Sequence, residues 1–79
     1  MTVSRDQIER EIAVLRDRAI LTLDTVESFQ SSVESLVHQD VSDDIIEENR
    51  DKASIYYEVY LDIVIKIGRL SRQLANYTE

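Results

Sequence analysis

The sequence predicts an all-α fold, an antiparallel two-helix hairpin of the coiled-coil type. Two stretches carry apolar residues at alternating spacings of three and four, which is the repeat of one face of a helix. The chain has no proline and a single glycine, so it offers little to interrupt a long helix or to build the tight turns of a sheet. These observations favour two long helices joined by one short turn.

The most apolar stretch, residues 54–74, also fits a β-strand. Ile55, Tyr57, Val59 and Leu61 begin an alternation that would place apolar side chains on one face, and the β-branched content favours a strand. However, a strand of about thirteen residues exceeds the usual 3–10 residues. No second stretch alternates as well, so the strand would lack a partner, and a helix is the prediction.

The first helix is expected from about residue 5 to about residue 38. Ser4 and Gln7 have the spacing of a capping box, which marks a helix start. The apolar rhythm then continues over about four heptads, enough for a coiled-coil-like seam. Its members on the first helix are Ile8, Ile12, Leu15, Ala19, Thr22, Val26, Phe29, Val33 and Leu36.

A turn over about residues 39–42 leads into a second helix over about residues 43–76, giving one helical-hairpin domain across residues 1–79. Ser42 is the expected N-cap, and Asp43 and Asp44 follow in the first turn, where the helix dipole favours carboxylates. The seam of the second helix consists of Ile46, Asn49, Ala53, Tyr56, Tyr60, Ile63, Ile67, Leu70 and Leu74.

The two seams are complementary when one helix folds back on the other. In an antiparallel pair of helices, the residue numbers of two facing residues add up to the same value along the whole length. Here every residue of one seam faces a residue of the other when that sum is 82, as for Phe29 and Ala53. Large side chains then meet small ones, for example Tyr60 and Thr22, as close packing requires. Asn49 either fixes the register as a polar seam residue or reaches water near the turn.

A second apolar stripe, which we call flank A, lies beside the seam. A hairpin with a second apolar side should bury it, so the sequence predicts a homodimer that forms a four-helix bundle, with the hairpins antiparallel so that their acidic tips stay apart. The opposite side is expected to be more polar, and Val14, Leu21, Ile55 and Ile65 fit neither stripe. Flank A consists of Ile20, Leu23, Tyr57, Leu61, Val64 and Gly68.

Charge is distributed unevenly along this chain of net charge −7. Residues 19–51 hold nine acidic side chains against Arg50, so the closed tip of the hairpin is acidic and direct nucleic-acid binding is disfavoured. An alternative function is still a regulator of nucleic-acid function, acting as an acidic DNA mimic or through an arginine-bearing open end. Those arginines are Arg10, Arg16, Arg18, Arg69 and Arg72.

Residues suited to catalysis or metal binding are sparse. The chain has no cysteine, and His38 is its one histidine, placed at a helix C-terminus, where the dipole suits basic side chains. The acidic cluster around Asp43 lacks the glycine and spacing of a calcium loop, and no phosphate-binding or nucleophile motif is present. We therefore expect no enzyme activity, no cofactor, no metal and no small-molecule substrate.

The functional prediction is a non-enzymatic protein–protein interaction module, such as a small adaptor, co-chaperone or inhibitor. It is expected to act through flank A, on a second copy of itself, on another protein, or on both. No apolar run approaches the roughly 20 residues that a membrane-spanning helix needs, so we expect no membrane partner and a cytoplasmic location.

Overall fold

The computed structural model describes residues 4–77, which form two α-helices, α1 (Arg5–His38) and α2 (Asp43–Ala75). Neither helix is interrupted, and residues 4–77 contain no strand, so the predicted all-α hairpin is confirmed. Residues 54–74 lie wholly inside α2, which confirms the helical interpretation of the ambiguous stretch. The ends of the predicted domain, residues 1–3 and 78–79, lie outside the described residues.

The start of α1 is fixed by the expected capping box. The hydroxyl of Ser4 accepts a hydrogen bond from the backbone N–H of Gln7 at 3.2 Å. In return, the backbone N–H of Ser4 donates to Oε1 of Gln7 at 3.0 Å. Two backbone donors that the first turn would leave unpaired are thereby satisfied.

The turn depends on one residue with a left-handed backbone. After Gln39, whose N–H donates to the carbonyl oxygen of Leu36 at 3.1 Å, Asp40 has a φ of 57°. Aspartate is one of the few side chains that enter this region readily, because its short polar group bonds locally. The left-handed residue ends α1 and reverses the chain.

Ser42 is the N-cap of α2, as predicted, but its side chain forms no capping hydrogen bond. Its backbone is extended, and its carbonyl oxygen accepts from the N–H groups of Ile45 and Ile46 at 3.2 and 3.4 Å. Asp43 and Asp44 occupy the first turn. The start of α2 is therefore supported by these carboxylates near the positive end of the helix dipole rather than by the hydroxyl.

The lowest exposures of the described residues lie along the line where the two helices meet. Every buried residue of residues 4–77 belongs to the predicted seam; these are Ile8, Ile12, Ala19 and Val26 on α1 and Ala53 on α2. The other apolar seam residues are partly buried, with one exception. Tyr56 leaves 41 % of its surface exposed, so its ring covers the edge of the seam rather than its interior.

An aromatic pair links the helices near their middle. The rings of Phe29 and Tyr56 stack with centroids 5.6 Å apart and planes 14° from parallel. In the predicted register Phe29 is level with Ala53, and Tyr56 with Val26. Side chains lean toward the N-terminus of their own helix, so in an antiparallel pair these two rings lean toward each other. The stacking is what that register would produce.

The hairpin is a thin rod of 61 × 17 × 14 Å with a radius of gyration of 17.8 Å. A compact chain of this length would have a radius near 12 Å. Its accessible surface of 6320 Å² also exceeds the roughly 4,900 Å² expected of a globular protein of this mass. Much apolar surface is therefore left in water. Within the described part of the chain, neither helix is apolar enough over a sufficient length to cross a bilayer.

Candidate interaction surfaces

Flank A is an exposed apolar face that runs along both helices. Ile20 on α1 leaves 60 % of its surface in water, and Tyr57, Leu61 and Val64 on α2 are also exposed. Leu23 is partly buried at the edge of the seam. Apart from Leu23, the apolar side chains that the sequence assigns to an interface therefore leave two fifths or more of their surface uncovered within the described chain.

Gly68 lies within flank A, in the uninterrupted interior of α2. A Cβ atom built on this glycine would meet no other atom within 4 Å. Packing within the hairpin therefore gives no reason for a glycine, although glycine destabilises a helix by up to about 1 kcal/mol relative to alanine. Any close neighbour at this position has to come from outside the described chain.

Tyr57 is held in place by its neighbour in the seam. Its ring stacks on that of Tyr60, with centroids 6.0 Å apart and planes 27° from parallel. Because Tyr60 is partly buried between the helices, it orients the Tyr57 ring on the surface of flank A. A side chain ordered in this way loses less conformational entropy when a partner covers it.

The opposite side of the hairpin, which we call flank B, carries apolar side chains that belong to neither predicted stripe. Two adjoining grooves of about 540 and 420 Å³ lie there between the helices. They share Leu15, Arg18 and Lys66 and therefore form one trough. The first groove is lined by Arg10, Glu11, Val14, Leu15, Arg18, Lys66, Arg69 and Leu70, and the second adds Leu21, Thr22, Val59, Asp62 and Ile63.

Flank B has the charged side chains expected of a more polar side, and between them it also has an apolar floor. Arg18 and Lys66 lie there as predicted, but they border an apolar floor to which Val14 and Leu21 contribute. Leu21 is 67 % exposed. When each helix is considered alone, Val14 and Leu21 belong neither to the seam nor to flank A. Their common position becomes visible only when the far edges of the two helices are brought side by side.

The arginines of the open end do not form one cluster. Arg10, Arg18 and Arg69 line the trough of flank B together with Lys66. Arg16 instead lines a groove on the other side of the hairpin, next to Arg5. The predicted arginine-bearing end is therefore divided between two sides.

The cations of the trough have no ion-pair partner among residues 4–77. Ion pairs within those residues join Arg5 to Glu9 and Lys52 to Glu48, each at 3.3 Å and each between exposed side chains four residues apart. Neither pair involves a residue of the trough. The four basic groups there are consequently available to an external anion.

Asn49 forms its hydrogen bond within its own helix. Its side-chain nitrogen donates to the carbonyl oxygen of Ile45 at 2.9 Å, and the residue is partly buried. No described hydrogen bond of Asn49 crosses the seam. The register is therefore supported by the apolar contacts and the Phe29–Tyr56 stack.

Groups suited to metal binding do not converge in the described residues. His38 is exposed on the last turn of α1. Across residues 4–77, no three histidine or acidic side chains lie close enough to hold a metal ion, and no buried side-chain nitrogen or oxygen lacks a hydrogen-bond partner. The surfaces that invite a functional interpretation are the two flanks.

Comparison with known proteins gives no relative to reason from: no family model matches the chain, and no match is found among curated proteins or solved structures.

Proposed function

We propose that this chain is a non-enzymatic protein–protein interaction module that acts through flank A, and that its first partner is a second copy of itself. The observation that carries the proposal is the exposure of Ile20, Tyr57, Leu61 and Val64 along one side of a rod. Contiguous apolar surface of this kind marks interaction sites in water-exposed proteins.

The size of the face suits a stable pair. A side of 61 by 17 Å spans roughly 1,000 Å², and standard interfaces bury about 800 Å² per partner. Burial of each large apolar side chain of flank A contributes about 1.5–3 kcal/mol before the cost of association is subtracted. These terms support a dimer without help from a third component.

The spacing of flank A is self-complementary. On α2, a two-fold axis placed between Leu61 and Val64 brings each of them against the other in the second copy. The same axis sets Tyr57 over Gly68 of the second copy, so a large ring meets the position with no side chain. That pairing supplies the close neighbour that Gly68 lacks within its own chain.

The same axis also satisfies α1. On α1 the axis passes between Ile20 and Leu23, so Ile20 of one copy packs against Leu23 of the second copy. In the predicted register, the point between Ile20 and Leu23 on α1 and the point between Leu61 and Val64 on α2 differ by only about 3 Å along the rod, at 1.5 Å per residue. One axis can therefore pass through both. Arg16 then faces Glu27 of the second copy, and the pair occurs twice by symmetry.

Light scattering on the purified chain tests this proposal. The wild-type chain should have twice its mass of 9.2 kDa. Leu61→Lys should yield a folded monomer, because each copy would bury an unpaired charge at the centre of the interface. Leu21→Lys, the same kind of change on flank B, should remain dimeric. A wild-type chain that is helical but monomeric at every concentration would refute the self-association.

Regulation of nucleic-acid function is the second candidate. The convergence of Arg10, Arg18 and Arg69 supplies groups that bind phosphate, whereas the net charge of −7 opposes approach to a polyanion. A mobility shift that appears at low salt and is lost at moderate salt would support a grip on nucleic acid. Loss of a DNA-binding protein's affinity when this chain is added would support DNA mimicry.

A further inference from the structure

We propose that the trough of flank B is a second docking site, and that it binds an acidic amphipathic helix of a partner protein. The site is separate from flank A and does not depend on the function proposed above. In a dimer formed through flank A, one trough would remain open on each copy.

Charge complementarity identifies the partner as acidic. Arg10 and Arg18 border the trough from α1, and Lys66 and Arg69 border it from α2. Two acids, Glu11 and Asp62, also line it, so the local balance is basic in a chain whose net charge is −7. None of the four cations forms an ion pair with any residue in 4–77. Basic groups of this kind attract carboxylates and steer their approach.

The floor of the trough requires that the partner also carry apolar groups. Val14 and Leu15 lie on one side and Leu70 on the other, and Leu21 and Val59 extend the floor toward the middle of the hairpin. If these side chains were buried against a polar partner, their burial would add no favourable free energy of binding. An apolar stripe edged by acids on both sides matches this arrangement.

The dimensions match a helix of about three turns. From Arg10 to Leu21 the trough follows α1 for roughly 16 Å at 1.5 Å per residue. A helix laid along it would place its apolar stripe on the floor and a carboxylate toward each basic rim. A nucleic-acid strand presents phosphates but no continuous apolar stripe, so it would leave the floor uncovered.

A labelled synthetic peptide tests the proposal by fluorescence anisotropy with the full chain. The acidic probe has about 14 residues, roughly 21 Å as a helix, with leucines spaced by three and four and glutamates on both sides of the stripe. A second probe replaces each glutamate with lysine. A third is a single-stranded oligonucleotide of the same net charge as the acidic probe. The acidic probe should bind most tightly, and its affinity should fall as salt is added.

Two double variants of equal charge localise the binding. Arg18→Gln with Lys66→Gln removes the two cations shared by both grooves and should weaken binding about tenfold. Arg50→Gln with Lys52→Gln removes one arginine and one lysine near the tip and should change binding by less than about threefold. Val14→Ser, at an exposed position of the floor, should weaken binding even at high salt.

Four results would overturn the proposal. They are no binding of the acidic probe up to about 1 mM, equal binding of the lysine probe, tighter binding of the oligonucleotide, and equal weakening by the two double variants. Light scattering on each variant, read beside the anisotropy, distinguishes failure of this docking site from failure of the dimer.

Discussion

The one glycine of this chain lies mid-helix, whereas the left-handed backbone at the turn belongs to Asp40. Glycine is the usual residue for a positive φ, and it weakens a helix interior. The geometry within one chain would thus favour glycine at position 40 and another residue at position 68. At Gly68 the proposed interface accounts for the choice, because the second copy's Tyr57 needs the space of a missing side chain.

Gly68→Ala should change the stability of the hairpin and the affinity of the dimer in opposite directions. The new methyl group meets nothing within 4 Å in the single chain, so the helix should gain up to about 1 kcal/mol. In the dimer it would push against Tyr57 of the second copy and weaken association. Urea unfolding of the monomeric Leu61→Lys chain, with and without Gly68→Ala, measures the first effect.

Sedimentation equilibrium of Gly68→Ala against the wild-type chain measures the second effect. Ser71→Ala on the same helix is the control, since it adds no bulk at the contact with Tyr57. An unchanged dimer affinity in Gly68→Ala would contradict the placement of Tyr57 over Gly68.

At the scale of the elements, the two helix starts are built differently. At α1 the Ser4 hydroxyl and the Gln7 side chain exchange hydrogen bonds with the backbone. At α2 the Ser42 hydroxyl makes no such bond. The same residue type at the same cap position therefore has different energetic importance.

We expect Ser4→Ala to lower the free energy of unfolding by about 1 kcal/mol, because an N–H of the first turn loses its acceptor. Ser42→Ala should cost less than half as much, since no capping bond is lost. Urea denaturation followed by far-UV circular dichroism compares them. Equal losses in the two variants would show that Ser42 caps α2 in solution.

The sequence predicted the elements well, because their signals are local. The capping box at Ser4 indicated where α1 begins, and the spacing of the seam indicated the helical state of residues 54–74. The hydroxyl geometry of Ser42 could not be predicted, since it depends on how the turn at Asp40 directs the chain. The trough of flank B was missed because Val14 and Val59 come from different helices, and only the packed pair places them on one floor.

At the scale of the whole molecule, the shape limits what the hairpin can bury alone. A rod 14 Å thick has no interior beyond one seam, and among the described residues only Ile8 and Val26 leave 2 % or less of their surface exposed. Small domains with so little core usually obtain stability from disulfides, metals or association. The chain contains no cysteine and therefore no disulfide, so we expect association to supply the additional stability.

Folding should therefore depend on protein concentration. If the dimer is the stable species, each tenfold dilution should lower the midpoint of thermal unfolding by roughly 3–6 °C. Circular dichroism melts over a hundredfold concentration range measure this. A constant midpoint for the wild-type chain, equal to that of Leu61→Lys, would show that association adds no stability to the hairpin.

The left-handed backbone at Asp40 has one further consequence. Together with the extended backbone of Ser42, it separates two helices that would otherwise form a single continuous rod about 105 Å long, at 1.5 Å per residue. Two such rods lying side by side could exchange their C-terminal halves and keep every contact of the seam, since Phe29 of one would stack on Tyr56 of the other. Whether the chain folds back on itself or exchanges halves with a neighbour thus depends on the conformation of the turn, where Asp40 is left-handed and Ser42 is extended.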